Sequence, residues 1–336
     1  MAIGFDCGTY TLVSCQRDKE NNFVQKKEIN AFIEFPIESR FVFNMMKQAK
    51  VPLIERKDVG VAYALGEAAM DIAYTMNQIE VRRPMRDGCL NPREKSAQQI
   101  MSIMIHSLLD EVEDNDLLYY SVPANAINEE TDADYHNKVL EAIFKAFKTD
   151  DGKKVRPYPI NEGLSLIYAE LAEKNWTGFG VSCGAGMVNV CFAMYGAPIF
   201  QFAIVNSGDW IDRQSARATG ESIAFINKEK TKIDLSETPS NLAHRAIKAQ
   251  YEIMLQKTAN EIKKGLEQSG NKVRTEDPVD IVVAGGTSLP KGFTQLFTDT
   301  IKKTHLPIDF GRVMRPKDPL YSVARGALIA AEAAGE

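Results

Sequence analysis

Apolar and polar positions along the chain predict strands and helices in succession. Two short apolar segments, 3–7 and 179–183, each run into a glycine-containing turn and a second apolar segment, which is the pattern of a β-hairpin. Residues 92–113 instead carry apolar side chains at helical spacing, with Asn91 as the candidate N-cap. Residues 117–122 are apolar, as in a buried strand. This succession predicts an α/β protein with mixed sheets.

The same patterns predict elements along the rest of the chain. Two strands are expected within residues 12–35, around a polar turn at 18–22, and residues 210–270 are expected to be predominantly helical. The other predicted helices are 66–70, 135–147, 242–267 and 320–333, and the other predicted strands are 155–160, 197–205 and 281–284.

The two predicted hairpins resemble each other in sequence. Four of the five cysteines form two pairs, Cys7/Cys15 and Cys183/Cys191, each eight residues apart and offset by 176 positions (183 minus 7). Glycines and apolar residues around them match position by position. Duplication at about half the chain length predicts two similar domains across a cleft, the alternative being chance similarity between two hairpins.

A glycine-containing hairpin turn suits phosphate binding, because the backbone can approach closely and successive N–H groups form an anion-binding concavity. In the first hairpin, Asp6 offers a carboxylate suited to water-mediated Mg²⁺, and Thr9 and Thr11 offer hydroxyl donors. Two such hairpins in equivalent positions would hold the phosphates of a nucleotide from both sides.

Composition narrows the class of protein. The 336 residues carry 40 Lys and Arg against 45 Asp and Glu, a net charge of −5, so no net basic field favours nucleic acid. The length suggests about two domains. Apolar runs are too short for a membrane span, no basic leader follows Met1, and the sparse cysteines show no CxxC spacing. We therefore expect a cytoplasmic protein in a reducing compartment.

Five segments, in order, carry a resemblance to the actin, Hsp70 and sugar-kinase superfamily. They are 3–11, similar to the first phosphate motif; 160–169, the first connecting helix; 181–186, the second phosphate motif; 280–293, the adenosine motif; and 318–327, the second connecting helix. Within the superfamily the chain most resembles bacterial and archaeal actin-like proteins of the MreB and MamK type. Residues 84–90 resemble the loop before their first long helix, and 208–212 the start of their second small subdomain.

This resemblance implies an actin-like, ribonuclease H-like duplicated fold of two domains, each with a mixed sheet and helices, and a nucleotide cleft between them. The implied subdomains are IA (1–35, 80–160 and 318–336), IB (36–79), IIA (161–207 and 275–317) and IIB (208–274). The implied cofactors are ATP or ADP and Mg²⁺, the ion being held by Asp6 through water.

The resemblance also implies the residues of the site. Asp6 and Glu162 are the expected catalytic residues, Glu162 by orienting the attacking water. The alternative for Glu162 is a helix N-terminal carboxylate favoured by the dipole, and both can hold together. The expected nucleotide contacts are Asp6, Gly8, Thr9, Tyr10, Thr11, Ser182, Gly184, Ala185, Gly186, Gly208, Asp209, Glu261, Lys263, Lys264, Gly285, Gly286, Thr287 and Ser288. The register of Glu261, Lys263 and Lys264 is open, because Asn260 falls where one alignment expects the Glu.

Ser182 departs from the family, which places Asp there. Serine can donate a hydrogen bond but brings no charge, so attraction for Mg²⁺ should weaken. We therefore expect nucleotide binding to be kept and hydrolysis to be slow.

The resemblance implies a cytoskeletal protein that assembles head to tail with copies of itself into filaments. The alternatives are a small-molecule kinase of the same fold, with Asp209 or Asp212 as base, and a nucleotide-sensing adaptor of the FtsA or pilus-assembly type. Membrane contact is not indicated, because core strands explain the apolar stretches 32–37 and 41–43. The basic loop 82–88 is either solvated or contacts nucleotide or a partner.

Overall fold

The computed structural model describes residues 2–38, 40–48, 51, 53–75, 80–109, 112–127, 131–270, 273–275 and 277–335. Its strands are β1 (Ala2–Cys7), β2 (Thr11–Arg17), β3 (Phe23–Ile29), β4 (Phe32–Pro36), β5 (Leu53–Arg56), β6 (Val61–Leu65), β7 (Met85–Arg86), β8 (Cys89–Leu90), β9 (Asp116–Val122), β10 (Val155–Asn161), β11 (Gly178–Cys183), β12 (Val188–Met194), β13 (Ala197–Ile204), β14 (Val279–Ala284) and β15 (Phe310–Met314).

The helices are α1 (Arg40–Gln48), α2 (Gly66–Thr75), α3 (Ala97–Leu108), α4 (Ala133–Ala146), α5 (Glu162–Glu170), α6 (Gly208–Thr219), α7 (Ile223–Lys230), α8 (Leu242–Ser269), α9 (Phe293–Thr304) and α10 (Ser322–Gly335). The segment from α6 to α8 is predominantly helical, as predicted. None of the described helices is both long and apolar enough to cross a membrane.

Two five-stranded sheets share one topology. One has the order β10-β9-β1-β2-β3 and the other β15-β14-β11-β12-β13. In each, the first three strands along the chain pair antiparallel and the other two add in parallel. Even the register repeats, because Gly4 pairs with Cys15 and Gly180 with Cys191. The duplication predicted from the cysteine spacing is therefore present in the fold.

One connecting helix lies against each sheet, where a repeated glycine makes room for it. A Cβ at Gly4 of β1 would lie 2.0 Å from the carbonyl oxygen of Ala324 on α10. A Cβ at Gly180 of β11 would lie 1.9 Å from the carbonyl oxygen of Gly163 on α5. Because only glycine lacks a Cβ, both helices approach their strands at backbone distance. The two helices also contact each other, which joins the two halves.

Each sheet carries its own apolar core. In the first half, Phe5 and Phe144 pack edge to face with ring centroids 5.3 Å apart. In the second half, Phe179 and Phe192 stack at 4.5 Å. A separate three-stranded sheet, β4-β6-β5, buries a smaller cluster. The limits of the four subdomains stay a prediction.

Two local predictions need correction. Residues 12–35 contain three strand segments instead of two, because the chain turns at Asn30, whose N–H donates to the Tyr10 carbonyl, and β4 then joins the separate sheet. The helix predicted over 92–113 is shorter, and Asn91 does not cap it. Asn91 closes a turn instead, and Glu94 pairs with Arg82 ahead of α3.

Candidate functional site

Two carboxylates, Asp6 and Glu162, lie close to each other, and each is placed by the end of an element. Asp6 is near the end of β1, and Ser121 is near the end of the parallel neighbour β9. Parallel strands bring their carboxyl ends to the same edge of the sheet. The Ser121 hydroxyl donates to Asp6 Oδ1 at 2.8 Å and accepts the Cys7 N–H at 2.9 Å, so it holds the Asp6 side chain in one orientation.

Glu162 begins the connecting helix α5. The side chain of Asn161 caps this helix, with Oδ1 accepting the N–H groups of Gly163 and Leu164 at 2.9 and 3.2 Å. The Glu162 carboxylate accepts hydrogen bonds from the side chains of Ser182 and Asn189. Two residues of the second hairpin therefore hold the glutamate in place.

Asn189 was missed in the sequence. Its Oδ1 accepts the Ala124 N–H at 2.9 Å, so one side chain links β12 to the loop after β9 as well as to Glu162. It is 1% exposed. The available signal was a lone amide within the apolar stretch of β12, because buried polar groups need partners.

The two carboxylates share an environment that disfavours charge. Burial, together with the negative charge of the nearby Asp6, raises the pKa of Glu162 to about 8, opposed by the hydrogen bonds from Ser182 and Asn189. Burial also raises the pKa of Asp6 to about 6, opposed by the hydrogen bond from Ser121. Neither carboxylate forms an ion pair with a Lys or Arg in the part of the chain that the structure describes.

The loops between β1 and β2 and between β11 and β12 are the predicted first and second phosphate loops. The first of them is held by its neighbours. The carbonyl of Gly8 accepts a hydrogen bond from Asn30 Nδ2 at 3.0 Å. Thr9 is buried, Tyr10 is 40% exposed, and Thr11 begins β2 opposite Ile29. The loop thus presents backbone and one aromatic ring toward solvent while its threonines are held in the fold.

The second phosphate loop meets the first. A Cβ at Gly186 would lie 2.5 Å from Thr9 Oγ1 and 2.2 Å from the Gly88 nitrogen. The loop from β11 to β12, the loop from β1 to β2 and the β7–β8 hairpin therefore converge on one point. Only a glycine fits there.

The Gly184 carbonyl gathers two further predicted segments around the second loop. It accepts hydrogen bonds from Thr287 Oγ1 at 2.7 Å and from the Gly208 N–H at 3.3 Å. The Asp209 N–H donates to the Ala185 carbonyl at 2.8 Å. The start of α6 and the turn after β14 are thus joined to the loop between β11 and β12, and the nucleotide contacts of these segments stay a prediction.

The turn after β14 has the conformation its glycines require. Gly285 has φ +88, a left-handed value, and Gly286 to Ser288 form a single helical turn. Ser288 is fully buried and its hydroxyl donates to the Gly285 carbonyl at 2.8 Å. Ser288 therefore supports the turn, and Gly286 has no side chain to obstruct a ligand.

The structure does not bring Glu261, Lys263 and Lys264 to this turn. They line a groove of about 900 Å³ between α8 and α9. Glu261 pairs with Lys264 at 2.5 Å, and Lys263 donates to the Thr304 carbonyl. The α8 residue that reaches the turn is Tyr251, whose hydroxyl donates to the Thr287 carbonyl at 3.1 Å. Ten residues separate it from Glu261, about 15 Å along a helix axis.

A lysine outside the predicted set lies beside the start of α6. Lys230 Nζ, at the end of α7, donates to the Gly208 carbonyl at 3.0 Å and to Asp212 Oδ2 at 2.8 Å. No motif in the sequence pointed to Lys230, because its neighbours Lys228 and Lys232 make the segment look like a solvated charged face.

Almost the whole chain matches one family of known proteins. A family model described as Volactin matches residues 1–331. The chain belongs to the Volactin family. No curated protein matches it.

Solved structures show the fold of this Volactin chain. A MamK double helical filament is similar with a TM-score of 0.71 and 17% identity, covering 98% of both chains. MreB 5 of Spiroplasma citri bound to AMPPNP gives 0.68 and 15%, covering 99% of this chain and 96% of that chain. The ethanolamine utilization protein EutJ from Carboxydothermus hydrogenoformans gives 0.53 and 15%, covering 98% and 89%. The actin-like fold predicted from the sequence is confirmed.

Proposed function

We propose that this Volactin-family chain binds ATP with Mg²⁺ between its two halves and assembles into nucleotide-dependent filaments. The observation that carries the proposal is the meeting of both phosphate loops, through Gly186 and Thr9, next to the start of α6 and the turn after β14. Similar structures include a MamK filament and an MreB bound to AMPPNP, which supports both parts of the proposal.

The residues at the cleft fit a nucleotide and a divalent cation. Mg²⁺ keeps several waters and needs only one or two carboxylates together with phosphate oxygens. Asp6 and Glu162 are two neighbouring carboxylates whose pKa values burial raises, and neither forms an ion pair with a Lys or Arg among the described residues. A bound cation would supply that partner and neutralise charge on the phosphates.

Within this proposal, each side chain has a defined task. Ser121 fixes the rotamer of Asp6 toward the hydrated ion. Asn189 and Ser182 hold the Glu162 side chain in position by hydrogen bonds. When Glu162 is ionised, its carboxylate accepts a proton from the attacking water. The N–H groups of the two loops supply fixed dipoles to phosphate oxygens.

The contacts of the two aspartates on α6 argue against the kinase alternative. Asp209 pairs with Arg83 at 2.9 Å, and Asp212 accepts from both Lys230 and Asn227 at 2.8 Å. A general base needs a free carboxylate within reach of a substrate hydroxyl. Asp209 is engaged by a cation, and Asp212 Oδ2 by a cation and an amide. Asp212 Oδ1 has no hydrogen-bond partner among the described residues, but it is buried and therefore not presented to a substrate.

Filament formation is tested by sedimentation and negative-stain electron microscopy. With Mg-ATP, we expect the protein to pellet and to show filaments above a critical concentration, and with EDTA we expect monomers. A monomer at all concentrations with ATP, ADP and AMPPNP would exclude the polymerisation part of the proposal. Calorimetric titration with Mg-ATP tests the binding part separately.

Ser182→Asp should speed hydrolysis. Ser182 is 4% exposed and donates to Glu162, so Asp there adds a third carboxylate beside Asp6 and Glu162. We expect phosphate release at saturating Mg-ATP to rise about tenfold, since stronger hold on the metal stabilises the transition state. Without metal, we expect a lower thermal midpoint, because the added charge has no partner.

The reciprocal variant Asp6→Ser serves as the comparison, because it leaves serine at the matching position of both halves. It should lose Mg²⁺-dependent nucleotide binding. A phosphate-release rate in Ser182→Asp equal to that of the wild type under polymerising conditions would refute the explanation of slow turnover.

A further inference from the structure

Arg83 lies between the two halves in the basic loop whose role the sequence left open. It lies two residues before the β7–β8 hairpin, whose tip at Gly88 touches the predicted second phosphate loop at Gly186 and Met187. Its guanidinium carbon is 6.0 Å from the ring centroid of Tyr10, on the first phosphate loop. Arg83 therefore reaches the cleft from the side of the first domain.

The two terminal nitrogens of Arg83 are in different situations. Nη2 lies 2.9 Å from Asp209 Oδ2. Nη1 is buried and has no hydrogen-bond partner among the residues that the structure describes. A buried donor without an acceptor is destabilising, and more so when the group is charged, so an acceptor is expected at that place.

The surroundings indicate what the acceptor is. Tyr10 and Asp209 flank the guanidinium, and the Asp209 N–H is bonded to Ala185 on the second phosphate loop. The guanidinium thus lies beside both loops, next to Tyr10 of the first and next to an aspartate bonded to the second. Guanidinium is suited to phosphate oxygens, because it is planar, permanently charged and carries paired donors.

We propose that Arg83 is a direct ligand of the polyphosphate chain of the bound nucleotide. This inference rests on the proposed nucleotide binding and assigns a residue to it. Nη1 donates to a phosphate oxygen, while the pair between Nη2 and Asp209 holds the guanidinium in position. Because Asp209 belongs to α6 and Arg83 to the opposite half, the contact forms when both halves are in place around the phosphates.

Arg213 provides a matched control. It lies one helical turn beyond Asp209 on α6, pairs across the same cleft with Asp87 at 3.1 Å, and has a side chain 30% exposed, against 31% for Arg83. Arg213 is not among the described residues with an unpartnered buried nitrogen. Its replacement removes the same charge and the same type of ion pair without removing a donor that lacks an acceptor.

The test is calorimetric titration of wild type, Arg83→Gln and Arg213→Gln with Mg-ATP and with adenosine. We expect Arg83→Gln to weaken ATP binding about tenfold to a hundredfold and adenosine binding less than threefold, about the range for a lost charged hydrogen bond. Arg213→Gln should change both less than threefold. Retained adenosine binding shows that Arg83→Gln is folded.

Three results would overturn the assignment. If Arg83→Gln binds ATP with unchanged affinity, Arg83 does not contact the phosphates. Equal losses for ATP and adenosine show that Arg83 acts through the fold or through closure. The same loss in Arg213→Gln shows that the ion pairs across the cleft are responsible. If the wild type itself binds neither ATP nor adenosine, the proposed function fails instead, which distinguishes the two.

Discussion

Replacing Glu162 by Gln is expected to stabilise the nucleotide-free protein at high pH. Burial and Asp6 raise the Glu162 pKa to about 8 from the ordinary value of 4.5. A carboxyl group whose pKa is raised on folding contributes fully below its unfolded pKa and loses that contribution as pH rises through the folded pKa. Wild-type stability should therefore fall between pH 4.5 and 8, whereas glutamine has no charge to acquire.

We expect the free energy of unfolding of the variant to exceed that of the wild type by about 2–4 kcal/mol at pH 9 and to match it near pH 4.5. Urea unfolding at several pH values measures this. Glu173→Gln is the control. Because Glu173 is exposed, the same change there should leave the pH dependence of the unfolding free energy as it is in the wild type. A constant gap between variant and wild type from pH 4.5 to 9 would contradict the assignment.

The same substitution should nearly abolish turnover. Glutamine keeps the shape and the hydrogen bonds to Ser182 and Asn189 but cannot accept a proton, so phosphate release should fall about a hundredfold to ten-thousandfold. Mg-ATP affinity should change far less. A gain in stability combined with a loss of rate is the signature of a functional residue held in an unfavourable environment.

Gly326→Ala is expected to destabilise the junction of the two halves. Gly326 lies on α10 where that helix crosses α5, and a Cβ there would lie 1.7 Å from the Ser165 carbonyl oxygen and 2.9 Å from the Ser165 Cα. Both are backbone atoms, so the overlap is relieved only by moving one helix. We expect a loss of about 2 kcal/mol or more in unfolding free energy, despite the higher helix propensity of alanine.

Gly335→Ala, on the same helix, is the matched control. Its Cβ would meet a side-chain atom of Leu117 at 3.3 Å, which small adjustments accommodate. Thermal unfolding followed by circular dichroism should show a lower midpoint for Gly326→Ala and an unchanged or slightly higher one for Gly335→Ala. Equal thermal unfolding midpoints for both variants would contradict the prediction, because they would show that the two helices shift at their crossing without a loss of stability.

The duplicated fold was predictable because short sequence patterns repeat in the two halves. Cysteines at equal spacing, glycines at equal positions and apolar strands at both hairpins mark equivalent sites in each half. The segments that contain Gly208 and Thr287 were assigned to the site from their resemblance to motifs of the superfamily. The corresponding contacts around Gly184 are present.

The rest of the site depends on distances that sequence does not contain. Asn189 and Ser121 reach the carboxylates only through strand register, and a single amide or hydroxyl in a strand carries no motif. Glu261 and the lysines after it matched a charge pattern, but their position along a 28-residue helix decides what they reach. The unpartnered nitrogen of Arg83 is visible only when both halves are folded together.

The paired glycines at Gly4 and Gly180 have a mechanical consequence. Each connecting helix packs backbone to backbone against its own sheet, so a helix and its sheet are expected to move as one rigid unit. The two rigid units contact each other at the crossing of α5 and α10, near Gly326, so we expect them to rotate relative to each other about this crossing. Glu162 lies three residues before Ser165 on α5 and accepts a hydrogen bond from Ser182. Rotation at this crossing is therefore expected to be transmitted to the second hairpin and to change the contacts between Gly186, Thr9 and Gly88.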